Sequence, residues 1–228
     1  MSTKTASSTG QRGNVGDVFF IASVLVVFGA VALASRWLPI LLYFPSLVAV
    51  GGIISYHIVR KVSWRELGLT WDHWPRNLLI GLLLGGGIGG ILYALWTYPF
   101  YVRTYPDIFG VGWDAPLREF LPIIGLFIIV TVPTEEILFR GMLVGALQKL
   151  WHKWIAILMA AFVFSLLHLS GPYTANMTMV LNALLLGLVN GYLFVRTKSL
   201  IGPMMIHAGS AVIGFFLWVP LFQAMGIL

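Results

Sequence analysis

Glu135 and Glu136 stand side by side in Thr134-Glu135-Glu136-Ile137-Leu138-Phe139-Arg140, within an otherwise apolar run. Ionised side chains in such a run are costly, and they are generally paired or turned towards a cavity. Glu136 and Arg140 are four residues apart, so on a helix they share one face in the order that favours an ion pair. Glu135 is rotated by about 100° from Glu136. It falls away from that arginine and stays available as an acid or base. Two further apolar runs each carry a histidine. Phe164-Ser165-Leu166-Leu167-His168 sets an aromatic ring one turn before an imidazole, and Ser199 to His207 sets Pro203 at a helix start with His207 one turn further in. Singly, each histidine also reads as an interfacial or packing residue. Together with the Glu-Glu/Arg triple they are expensive unless their three helices converge on one polar site. There, a carboxylate beside an imidazole can hold a water, deprotonate it and deliver it to a carbonyl, while a second imidazole stabilises the oxyanion. That is hydrolysis without a covalent intermediate.

The elements that must position these residues are long and apolar. Hydrophobic residues make up 59% of the 228-residue chain and charged residues 10%, and the apolar residues are spread along it rather than confined to one segment. A hydrocarbon layer of about 30 Å takes roughly 20 apolar residues as helix. Runs near 17–35, 38–59, 77–99, 118–148, 154–169, 176–195 and 203–226 are the expected spans, most of them that long. They are continuous rather than alternating, which favours helices over a membrane barrel. The expected fold is all-α: a polytopic transmembrane bundle of seven or eight helices with an intramembrane polar cavity. The uncertainty of one helix lies in the run 118–148, which is either one long tilted span or is broken near Pro133. The expected organisation is a polar leader, 1–16, and a single transmembrane domain, 17–228. Ala32-Leu33-Ala34 resembles a signal-peptide cleavage site, but the long leader and the apolar run that follows at once favour an uncleaved first span.

Charge placement orients the bundle. With seven crossings, Lys4, Arg12, Arg60, Lys61, Arg65, Arg76, Lys149, Lys153, Arg196 and Lys198 fall on one side, and Arg36, Arg103 and Arg118 on the other. Cytoplasmic loops accumulate Lys and Arg, so the N-terminus is expected in the cytoplasm and the protein in the cell membrane. The same distribution argues against a nucleic-acid partner, because the basic residues sit in short inter-span gaps. The absence of cysteine removes disulfides, thiolate zinc sites and a cysteine nucleophile. Between the second and third spans, Lys61 to Asn77 interleaves Trp64, Leu67, Leu69, Trp71 and Trp74 with charges, the pattern of an interfacial anchor or of a gate beside the bilayer. Gly81 and the Gly85–Gly90 region allow close helix approach.

Three stretches, in order, resemble the motifs of the CAAX protease and bacteriocin-processing family of intramembrane proteases, also called the Abi family. They are Glu135-Glu136-x-x-x-Arg140, Phe164-x-x-x-His168, and the run through Gly191-Tyr192, Arg196-Thr197, Ser199-Leu200, Pro203 and His207. The family core would cover roughly 115–226. The resemblance implies a bundle of about eight helices whose cavity opens to membrane and cytosol, and cleavage of a peptide bond in a membrane-associated peptide or protein. It also implies roles: Glu135 and His168 activate water, His207 stabilises the oxyanion, and Glu136 with Arg140 supports them. The family pattern usually continues to an Asn four residues after the last histidine, and here that place is Ala211. Ser210, near the same helix face, is a candidate substitute donor; Asn182 and Asn190 are other candidates, although inter-helix packing is the commoner role of such amides.

A metal-free site is expected. Glu135, His168 and His207 could in principle form a two-histidine, one-glutamate set for a divalent ion such as zinc, but the chain lacks a His-Glu-x-x-His pair. It also lacks the Gly-x-Ser-Gly and Gly-x-Gly-Asp signatures of other intramembrane proteases. The alternative to a peptidase is a catalytically impaired member acting as membrane scaffold or bacteriocin-immunity protein, which Ala211 favours. A transporter is the third reading, but no inverted repeat supports it.

Overall fold

The computed structural model describes residues 15–38, 44–105, 107–108, 111–113, 115–171 and 177–227. Most of the polar leader, with Lys4 and Arg12, lies outside the described residues. Among those described, the chain forms seven continuous helices: α1 (Val15–Ala34), α2 (Phe44–Arg60), α3 (Trp74–Thr104), α4 (Arg118–Leu147), α5 (Lys153–Leu167), α6 (Met177–Thr197) and α7 (Ile201–Ala224). A two-residue antiparallel pair, Asp107–Ile108 with Val111–Gly112, lies in the α3–α4 connection. The fold is therefore an all-α bundle, and the protein is an integral membrane protein. Helices α1, α3, α4, α6 and α7 are long and apolar enough to cross a membrane. The remaining two, with 17 and 15 residues, are apolar but shorter. They rise only about 25 and 22 Å, less than a full hydrocarbon layer.

Pro133 does not break α4. A proline lacks an N–H and its ring crowds the carbonyl four residues back, so a regular helix kinks or ends there. Here the turn Phe127–Thr131 is widened to π-helical geometry, and the N–H of Val132 reaches the carbonyl of Phe127, five residues back. The same device precedes Pro99, where Tyr98 reaches Tyr93, and Pro220, where Val219 reaches Gly214. In each case the wide turn ends two residues before the proline. One extra residue in the turn moves the obstructed carbonyl aside, as π-bulges do, so α3, α4 and α7 each continue past a proline. Two further wide segments occur, Leu83–Gly89 in α3 and Ile137–Val144, which follows Glu136 and carries Arg140.

The glycines of α3 meet α7 at backbone distance. A Cβ at Gly85 would come within 2.6 Å of the Ile206 Cα and carbonyl oxygen, and one at Gly81 within 2.7 Å of the Gly202 carbonyl oxygen. Such contact needs residues without side chains. It seats the helix carrying His207 directly on α3. Helices α5 and α6 approach in the same way, Gly187 lying against Ala161.

Several helix ends are tied together. Arg60 at the end of α2 pairs with Asp17 at the start of α1 at 2.6 Å. Lys198, just past α6, donates to Gln148, just past α4, at 3.1 Å. The α2–α3 connection is no helix. Its turn is built on Ser63 and Glu66, whose carboxylate accepts from both the backbone N–H and the hydroxyl of Ser63, at 2.7 and 2.8 Å. Trp64, Leu69, Trp71 and Trp74 are exposed along it, while Leu67 is buried in the core, its carbonyl against Gly141 of α4. Gly68 has φ +91°, a conformation that favours glycine, and its carbonyl accepts from the N–H of Leu200 at 2.9 Å. Leu67 and Gly68 thus join α4 to the start of α7. Phe19, Val26, Ile58 and Ile129 are among the exposed apolar residues of the helices. Lipid is the solvent such faces suit.

Candidate active site

The three motifs meet around one aromatic ring. Phe164 of α5 is buried, and three groups pack on its ring: the Arg140 guanidinium, 4.5 Å from the centroid, the His168 ring at 4.7 Å and the His207 ring at 6.1 Å. These come from α4, the end of α5 and α7. Phe139 adds an edge contact to Phe164 at 4.8 Å, and Phe127 one to His207 at 5.6 Å. A ring face attracts the cation, and ring edges carry the opposite polarity, so one apolar residue can order all three polar groups.

Glu136 is fully buried and gathers most of the polar contacts. Its Oε2 lies 3.2 Å from Arg140 Nε, the ion pair anticipated from the four-residue spacing. Its Oε1 faces His207 Nδ1 at 2.9 Å and accepts from Asn190 Nδ2 at 3.0 Å. A carboxylate with three donors around it acts as acceptor, so Nδ1 of His207 carries the hydrogen. In the neutral ring Nε2 is then the bare nitrogen, and in the protonated ring it is a second donor. Nε2 points to Glu135, whose Oε2 is 3.9 Å away. That gap is too long for a direct hydrogen bond and short enough for one small group to touch both. The Glu135 side chain keeps 16% of its exposure, against 0% for Glu136. The adjacent carboxylates therefore occupy different environments, one sealed in an ion pair and the other opening outwards.

His168 caps its own helix. Its Nδ1 lies 2.9 Å from the Phe164 carbonyl, which can only accept, so Nδ1 is protonated and Nε2 is the acceptor of the neutral ring. Ser210 donates to the His207 carbonyl at 3.0 Å, and its Cβ lies against Gly89 of α3. Asn182 hydrogen-bonds Thr97, tying α6 to α3. Apart from the Arg140–Glu136 pairing, Glu136 Oε2, both terminal nitrogens of Arg140 and Asn190 Oδ1 have no hydrogen-bond partner among the described residues. Buried polar atoms of this kind are where ordered water is usually found. Glu135, His168 and His207 are not grouped as a set of metal ligands, and no group of three or more such side chains is so placed among the described residues.

Two contacts escaped sequence reasoning. Asn190 was visible as a polar residue in an apolar helix, but nothing in the sequence told which helix it faces. Phe127 carried no signal at all, since one more Phe in an apolar run is ordinary.

Residues 117–213 match the model of a family described as Rce1-like, type II CAAX prenyl endopeptidase. The matched stretch runs from the start of α4 into α7, takes in all three motifs and is less than half of the chain. The resemblance to the CAAX protease family is borne out over that stretch, and the family is one of proteases. No curated protein and no solved structure matches.

Proposed function

We propose that this chain is an intramembrane endopeptidase that hydrolyses a peptide bond of a membrane-associated peptide or protein by direct attack of water. The family match of residues 117–213 is the premise. The observation that carries the chemistry is His207 held between two carboxylates, Glu136 at 2.9 Å on Nδ1 and Glu135 at 3.9 Å from Nε2.

In this reading a water enters beside Glu135, which takes one of its protons, with Nε2 of His168, the acceptor nitrogen of the neutral ring, helping to hold it. The hydroxide adds to the scissile carbonyl carbon. The carbonyl oxygen becomes an oxyanion and accepts from Nε2–H of His207 when its ring carries both hydrogens. When the intermediate collapses, the C–N bond breaks and the leaving amine takes the proton held by Glu135. Arg140 neutralises Glu136, so Glu136 can fix His207 without adding an unpaired charge to the membrane interior. Ser210 is a further candidate donor in place of the amide that Ala211 lacks, by turning its hydroxyl from the His207 carbonyl. No step requires a metal. The protein lies in the cell membrane with its N-terminus in the cytoplasm.

The test is cleavage of a quenched-fluorescent peptide library by detergent-purified protein, with and without chelator. Chelator-resistant cleavage supports the scheme, and chelator-sensitive cleavage removes its metal-free part. Absence of cleavage by wild type moves the assignment to a membrane scaffold or immunity protein that keeps the family's cavity, the reading Ala211 favours.

A further inference from the structure

Asn190 lies on α6, fully buried, outside the three motifs. Its amide nitrogen makes two bonds, to Glu136 Oε1 at 3.0 Å and to the Pro203 carbonyl at 3.1 Å. Both partners here are acceptors, so both amide hydrogens are used and the amide has one orientation. The reverse orientation would aim a carbonyl at a carboxylate. The two partners belong to the surroundings of one residue. Glu136 Oε1 is the atom that faces His207 Nδ1. Pro203 lies four residues before His207 on α7, at the carbonyl that an α-helix pairs with the backbone N–H of His207. Asn190 is therefore bonded to a group on either side of His207, the Glu136 carboxylate and the Pro203 carbonyl.

The arrangement has a cost that packing does not require. Asn190 Oδ1 is buried with no hydrogen-bond partner among the described residues. An apolar side chain of the same size would fill the α6 position without that penalty. What the amide adds is a pair of donors linking α6 to α4 and α7 at the level of the site. It also occupies both of its hydrogens, so it does not serve as an oxyanion donor in this arrangement.

We propose that Asn190 is the positioning residue of this site: it holds the Glu136 carboxylate and the first turn of α7 in the register that keeps Nδ1 of His207 protonated and Nε2 aimed at Glu135. The proposal rests on the peptidase reading for its kinetic consequence, but not for its structural one. His207 is faced by Glu135 and Glu136 from α4 and by His168 from α5, with Arg140 of α4 paired to Glu136 and packed on the same Phe164 ring, Asn190 on α6 and the Gly85 contact at Ile206 on α3.

Two variants separate positioning from packing. Asn190→Leu keeps the bulk and removes both donors, and Asn190→Asp keeps the shape and replaces the donor by an acceptor. Each is compared with wild type in detergent by kinetics on a peptide taken from the library and by the 15N spectrum of labelled histidine, with His207→Gln assigning the His207 signals. Both variants should lower kcat by roughly 10²-fold, as a displacement of about 1 Å does, with KM within about 2-fold. The His207 Nδ1 signal should change from that of a single N–H held by Glu136 to a shifted or averaged one as that bond is loosened. A wild-type kcat in Asn190→Leu, or His207 nitrogen signals unchanged in both variants, would overturn the proposal. If wild type cleaves nothing, the peptidase reading fails while the spectra still decide the role of Asn190. If one variant does not fold, the other carries both readouts.

Discussion

At the scale of single residues, Glu135 and Glu136 are adjacent in sequence and differ in burial and partners. Glu136 is sealed at 0% exposure between Arg140, His207 and Asn190, so neutralising it leaves a buried guanidinium with no counter-charge. Removing one member of such a pair typically costs about 3–5 kcal/mol. Glu136→Gln and Arg140→Ala are therefore expected to lower the thermal unfolding midpoint and the yield of folded protein. Glu135→Gln, at a partly open position, is expected to unfold as wild type does. Equal stability of all three variants, measured by thermal unfolding in detergent, would count against this division. Ser210→Ala tests the donor assigned near Ala211. Loss of an oxyanion donor slows hydrolysis by about 10²–10³-fold, and unchanged cleavage would remove Ser210 from the site.

At the scale of elements, the place of His207 depends on helices outside the matched stretch. α3 precedes residue 117 entirely, yet its glycines form the seat of α7. A methyl at Gly85 meets the Ile206 backbone at 2.6 Å, and backbone cannot swing aside, whereas a methyl at Gly87 meets nothing within 4 Å. Gly85→Ala should displace α7 and abolish cleavage, and Gly87→Ala should leave it unchanged; a matched pair of cleavage assays decides. The Ser63–Glu66 turn acts similarly on the buried Leu67. The two hydrogen bonds from Ser63 hold the Glu66 carboxyl below its ordinary pKa. Its contribution to stability is thus present above the unfolded-state pKa and lost as pH falls through the lower folded-state one. Ser63→Ala should make the unfolding midpoint less sensitive to pH across that acidic window, as a series of melts would record.

At the scale of the whole molecule, seven helices were legible as continuous apolar runs, five of them long enough to cross the layer of lipid and two shorter. The Glu136–Arg140 pair and the Phe164–His168 stack were legible because both are set by helical spacing within one element. The continuity of α4 through Pro133 was not, since a widened turn is chosen by what the helix packs against as much as by its sequence. Nor was the link from Asn190 to Glu136, which depends on how two helices rotate about their axes. The proposed sidedness has its own check in a chain without cysteine. Single cysteines at Trp71 and at Arg103 should be labelled from the cytoplasmic and the opposite face of sealed vesicles, respectively. Labelling at Trp71 from the outer face and at Arg103 from the cytoplasmic face would reverse that assignment. The central claim is that Glu135 is the base of a peptidase, and the most direct measurement compares wild type with Glu135→Gln, at matched folded fraction, on a peptide selected from the library. The account predicts cleavage by wild type and a loss of at least about 10²-fold in kcat for the variant. A Glu135→Gln protein that cleaves at the wild-type rate would contradict it.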